Sequence, residues 1–177
     1  MQNKKVEFSN SVIKDRILIL EDTKENLIFK TFLAPGGGQN DLHYHSKLYE
    51  EFKIIKGELK VVLDKEEKTF VTGDKQIIKP FTNHKFYNNS KSEVIFEVKI
   101  SNPGQMKKAL QIMYGLVEDG KATKKGLPKN LFHIAIGIHL MDAFSPKCPF
   151  LPQKAGIKLL VFIAKLLKID KKLFAKY

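Results

Sequence analysis

The stretch 41-DLHYHSKLYEEF-52 places two histidines one residue apart, with a pair of glutamates starting five residues after the second. In a strand, residues two apart point to the same side. His43 and His45 therefore face the interior together near a strand end, while Tyr44 faces out and reads as a surface or interface aromatic. The next strand begins at Glu50. Its alternation partners Phe52 and Ile54 are apolar, so Glu50 shares the inward side and Glu51 points away. A third histidine, His84, follows Pro80-Phe81-Thr82-Asn83 in a later strand. Three imidazoles and one carboxylate converging on an interior point suit a divalent transition metal (Fe, Mn, Ni, Zn or Cu) with positions left open for water or substrate. Without a metal or a hydrogen-bond network, burying these four groups would be costly.

Outward from this stretch, the first hundred residues read as β. RILILE (16–21) and NLIFKTFL (26–33) are rich in apolar and β-branched residues and are separated by a polar turn. APGGGQ (34–39) is a loop. EEFKIIKGELKVVLD reads as two strands meeting near Lys56-Gly57-Glu58, and KTFVTGDKQIIKP as two more around a Gly73-Asp74 hairpin turn. Val94, Phe96, Val98 and Ile100 alternate in the last of them. Many short strands at close spacing with glycine turns predict a small barrel or jelly roll.

At Asn102-Pro103-Gly104 the pattern changes. GQMKKALQIMYGLVEDG has helical composition with Gly120 as a C-cap, and Pro128 is placed to open a second helix that covers residues 130–144. Three prolines in SPKCPFLPQ separate it from AGIKLLVFIAKLLKIDKKLF. There Lys158, Lys165, Lys168 and Lys172 share one helical face, opposite a wide apolar one.

GGQNDLHYHSKLYEEFKIIKG resembles the first motif of the cupin superfamily, G-x5-H-x-H-x3-4-E-x6-G, at Gly37, His43, His45, Glu50 and Gly57. The second motif, G-x5-P-x-G-x2-H-x3-N, is matched at Gly73, His84 and Asn88. Lys79 stands where that motif has proline and Phe81 where it has glycine, a position whose backbone angles phenylalanine adopts only at a cost. The resemblance covers about residues 5–100. It implies a mainly β fold, a cupin-type double-stranded β-helix over residues 1–100, followed by an α-helical extension over 101–177 like that of a bacterial conserved-barrel group. It also implies a metal bound by His43, His45, Glu50 and His84. Cupins include dioxygenases, isomerases, decarboxylases, storage proteins and sensor domains, so the fold leaves the reaction open. The leading expectation is a metal-dependent cupin acting on a small molecule, with O2-dependent oxidation as the precedent. The alternatives are a non-catalytic ligand-binding or sensing cupin, and a peripheral membrane or scaffolding protein acting through its C-terminal helices.

Charge separates the two halves. Residues 1–100 carry 17 basic and 15 acidic side chains, whereas residues 101–177 carry 14 lysines, no arginine and 4 acids. Without arginines in the basic half or a helix-turn-helix, the reading excludes nucleic acid as partner. For the last helix, packing on the barrel or across a homodimer interface is preferred to a membrane surface. No secretion signal or spanning segment is read, which makes a cytoplasmic location the default. Cys148 is the single cysteine and reads as an incidental thiol. His133 and His139 are six apart and share no helical face. Phe52, Phe81 and Phe86 either line a pocket or pack the core. Tyr87 and Asn88 are placed to support the barrel rim.

Overall fold

A computed structural model describes residues 6–177, so the first five residues of the expected 1–100 unit lie outside the described residues. The β region runs β1 (Glu7–Asn10), β2 (Asp15–Asp22), β3 (Asn26–Leu33), β4 (Tyr44–His45), β5 (Tyr49–Lys56), β6 (Glu58–Leu63), β7 (Glu66–Val71), β8 (Lys75–Ile78), β9 (His84–Tyr87) and β10 (Val94–Ser101). One sheet has the order β1-β2-β3-β10-β5-β8 and a second the order β7-β6-β9. Every pairing is antiparallel, and buried and open positions alternate most regularly in β3 and β10, whereas β7 buries none of its residues. Apolar side chains from the two sheets form one core, including Leu27, Leu33, Leu59, Val61, Phe96 and Ile100. This is the expected barrel.

The Gly73-Asp74 turn is not a hairpin. β7 pairs with β6 and β8 with β5, so the turn carries the chain from one sheet to the other. The local signal identified the turn; the choice of pairing partner is a long-range decision. In the APGGGQ loop, close approach explains the glycines. A Cβ on Gly38, at φ +142°, would lie 2.5 Å from the backbone of Tyr87, which it faces across a β-bridge. Asn88 fastens the same rim: buried, it donates to the carbonyls of Leu33 and Ser92 and accepts from Ser90.

The extension consists of α1 (Met106–Glu118), α2 (Leu131–Met141), the short β11 (Ala143–Phe144), α3 (Phe150–Leu166) and α4 (Ile169–Lys176). Through Met106, Leu110 and Tyr114, α1 joins the barrel core, and Tyr114 donates its hydroxyl to buried Asp15 of β2 at 2.6 Å. On its other side α1 contributes Ile112 and Leu116 to a second core, with Ala135, Ile136, Ile157, Val161, Ala164 and Leu173.

Three expectations change here. α2 starts at Leu131 under an Asn130 N-cap, whose side chain accepts from the backbone of Phe132 and His133, rather than at Pro128. It ends at Met141, because Asp142 turns left-handed and β11 follows, pairing with β4. The basic terminal segment is two helices, since Lys168 at φ 56° breaks it. Lys172 therefore belongs to α4 and does not continue the lysine row of α3.

Candidate metal centre

The site is built where β4, β5 and β9 come together. His43 and His84 exchange both backbone hydrogen bonds, N to O at 3.1 and 2.7 Å, as an isolated antiparallel bridge. Directly opposed residues of such a pair project to the same side, and their ring centroids are 4.3 Å apart. His45, two residues on in the same extended segment, brings its ring to 5.1 Å from His43 and 5.4 Å from His84. One ring nitrogen from each of His43, His45 and His84 lies within 4.8 Å of the others. Glu50, near the start of β5, adjoins the cluster: its Oε2 is 2.9 Å from His84 Nε2 and its Oε1 is 3.7 Å from His45 Nε2.

Backbone carbonyls fix the protonation pattern. His84 Nδ1 lies 2.9 Å from the Thr82 carbonyl and His45 Nδ1 lies 3.0 Å from the Met141 carbonyl. A carbonyl only accepts, so both Nδ1 atoms carry hydrogen and both Nε2 atoms are left to face the cluster. His84 Nε2 and Glu50 Oε2 then confront each other as buried atoms without another partner. Two lone pairs at 2.9 Å repel unless a cation lies between them, either a proton that makes His84 an imidazolium or a metal ion that both atoms ligate. The contact is thus one that a cation, proton or metal, must fill, and three imidazoles with a carboxylate are a donor set that fits a metal.

The electrostatics agree. Burial pushes Glu50 upward, but the facing His45 and the bond to His84 outweigh it and hold the carboxyl at about 2. Burial opposes protonation of His84, yet the bond and charge of Glu50 raise it above its usual 6.5. His43, with no such partner, is pushed down to about 3 by burial and by the neighbouring imidazoles. At neutral pH it offers a free lone pair, as a metal ligand must.

All four sequence-predicted residues come together here, and Glu51 points away, 3.6 Å from Lys75. Tyr44 is outward of the barrel but is not on the surface. It is buried against Phe81, Phe144 and Phe150, with ring centroids at 5.7, 5.7 and 6.4 Å, because the extension covers that face. Phe52 and Phe86 pack edge to face with one another in the core, while Phe81 stands outside it, so the three line no common pocket. Phe81 holds φ 64°, so the glycine conformation of the turn survives with phenylalanine in it. Its N–H donates to the His45 carbonyl at 2.8 Å.

Sequence reasoning missed the part played by the extension. Beyond the Met141 carbonyl on His45, the Asp142 carboxylate accepts from the Ser46 backbone N–H at 2.7 Å and from its hydroxyl at 2.9 Å.

Comparison with known proteins agrees with the geometry. A family described as the cupin domain matches residues 30–99, which include all four site residues. A sugar phosphate isomerase from a cupin superfamily, from Silicibacter pomeroyi, is 22% identical, with a TM-score of 0.51 over 55% of this chain and 71% of that one. An RmlC-like cupin from Shewanella frigidimarina is 18% identical over 57% and 85% of the two chains, TM-score 0.48. The cupin domain of an XRE family transcriptional regulator from Enterobacter cloacae is 23% identical over 50% and 96%, TM-score 0.45. No curated protein matches the chain in sequence. At these identities the structural likeness speaks for the fold alone. Residues 30–99 match the cupin domain, and the chain has the fold of a cupin-type barrel followed by a C-terminal helical extension.

Proposed function

We propose that this cupin holds one divalent transition metal ion through His43, His45 and His84, with Glu50 as the fourth ligand, and acts there on a small molecule. The observation that carries this reading is the confrontation of His84 Nε2 with Glu50 Oε2 inside a cluster of converging imidazoles. Three neutral imidazoles and one carboxylate leave a divalent ion with net positive charge and open positions, which supplies Lewis-acid or redox chemistry. The protein's own contribution is orientation. Thr82 and Met141 set two imidazole tautomers, and the His43–His84 bridge fixes the spacing of the third. Such partners hold ligands in place before the ion arrives.

Within that reading, O2-dependent oxidation of a small molecule is the reaction we favour, since this mixed imidazole and carboxylate set suits redox-active iron as well as Lewis-acid metals. Glu50, held ionised, is also placed to take a proton from a substrate if it leaves the metal. The second reading is a module that binds its ligand at the metal without transforming it. Oxygen uptake by the iron-loaded protein, screened over small-molecule classes, separates the two. Turnover lost in His84→Gln supports oxidation; ligand binding seen by calorimetry without uptake supports the module.

A further inference from the structure

We propose that the extension docks on an anionic bilayer surface through the uncovered side of α3. This rests on the helical extension and is independent of the metal site. α3 buries Ile157, Val161 and Ala164 in the second core. Its other side is apolar and open: Leu151 is 74% exposed, Leu159 59%, Phe162 58% and Leu166 67%. At 3.6 residues per turn these four fall within an arc of about 80°, so they form one stripe rather than scattered contacts. Single exposed leucines are ordinary, whereas a contiguous stripe marks an interaction surface.

Lysines alone border one edge of that stripe. Lys154, Lys158 and Lys165 follow each other along α3, and the helix contains no aspartate or glutamate. Across residues 143–177 the charged side chains are Lys147, Lys154, Lys158, Lys165, Lys168, Lys171, Lys172 and Lys176 against Asp170. Among the described residues, Lys154, Lys158 and Lys165 are in no ion pair. Lys154 and Lys158 also line a groove of about 460 Å³ with Lys47 and His139. Burial first, then Lys165 and Lys158, hold His139 below its usual range. The one carboxylate in the groove, Asp142, is already engaged by Ser46.

An apolar stripe with a purely cationic edge has one complementary partner in chemistry. The acyl boundary of a bilayer takes the stripe while anionic headgroups meet the lysines, whose stems reach from one to the other. A two-fold contact with a second copy through antiparallel α3 helices would instead bring lysine edges together with no carboxylate between them. Docking is at the surface, since no helix among the described residues is long and apolar enough to cross a membrane.

The test is co-sedimentation of the full chain with vesicles of phosphatidylcholine mixed with phosphatidylglycerol, against pure phosphatidylcholine. The expected result is binding to the mixed vesicles at least tenfold tighter than to the pure ones, weakening as salt is raised. Phe162→Gln with Leu166→Gln should weaken it at least tenfold with the circular dichroism spectrum unchanged, and Lys158→Gln with Lys165→Gln should abolish the preference for the anionic lipid. No binding to the mixed vesicles at low salt would overturn the proposal. So would the Phe162→Gln, Leu166→Gln variant binding as tightly as the parent, or turning a dimer into a monomer in sedimentation velocity without changing vesicle binding.

Discussion

The Nδ1–H of His45 donates across 3.0 Å to the carbonyl of Met141, the last residue of α2, joining two residues 96 apart in the chain. The helical extension is therefore part of the candidate site. It sets the tautomer of one imidazole, and through Asp142 on Ser46 it anchors the segment that carries that imidazole.

Removing this anchor should be felt at the metal. Asp142→Ala deletes the acceptor of the Ser46 backbone N–H and hydroxyl, and should weaken metal affinity roughly 10- to 100-fold, as loss of an orienting partner does. Ser46→Ala keeps the backbone bond and should cost less. Competition titration against a chelator that reports metal colorimetrically measures both.

Metal affinity should fall in acid through His84. Its folded pKa is raised above 6.5, so the imidazolium–carboxylate pair with Glu50 stabilises the metal-free fold fully below pH 6.5 and fades as pH rises through the raised value. Metal must displace that proton, so its affinity should drop progressively as pH is lowered through the same value. Glu50→Gln removes the charge that raises His84 and should shift this dependence to lower pH, which titrations across pH would reveal.

Asp15 gives stability the opposite slope from an ordinary paired carboxylate. Burial raises it from 3.8 to about 7 against the favourable bond from Tyr114. The folded state then holds a proton that the unfolded state has released, and stability should fall by up to about 1.4 kcal/mol per unit between pH 3.8 and about 7. Asp15→Asn does not titrate, so it should exceed the parent in stability above pH 7 by up to about 4 kcal/mol, and the gap should close in acid. Urea denaturation at several pH values tests it.

Phe81 keeps a left-handed backbone at φ 64° although its side chain is 55% exposed. That conformation costs about 1–2 kcal/mol for a residue with a Cβ. Its ring contacts with Tyr44 and Phe150, centroids at 5.7 and 5.4 Å, offset part of the cost. Phe81→Gly should therefore change stability by less than about 1 kcal/mol, and Phe81→Val, β-branched and without the ring, should lower it by roughly 2 kcal/mol. Chemical denaturation of the pair distinguishes relief of strain from loss of contact.

The sequence showed most of this because the signals were local or periodic. Alternation placed Glu50 inward and Glu51 outward, and the motif spacing brought His84 to His43 and His45. What it missed was set by contacts distant in the chain. β7 and β8 flank a good turn yet pair into different sheets. Tyr44 alternates outward as read, but the extension covers it. β1 is four residues of mixed pattern that pair with β2 and drew no strand reading. Met141 acts on His45 through a backbone carbonyl, which no side-chain pattern encodes.

The most direct test of the metal centre is elemental analysis of protein purified without chelators, beside the His43→Ala, His45→Ala double variant. The expected result is close to one divalent transition metal ion per parent chain and almost none in the variant, with the circular dichroism spectrum of the fold retained in both. Negligible metal in the parent even after loading with iron, manganese, nickel, zinc or copper, or equal metal in parent and variant, would contradict it.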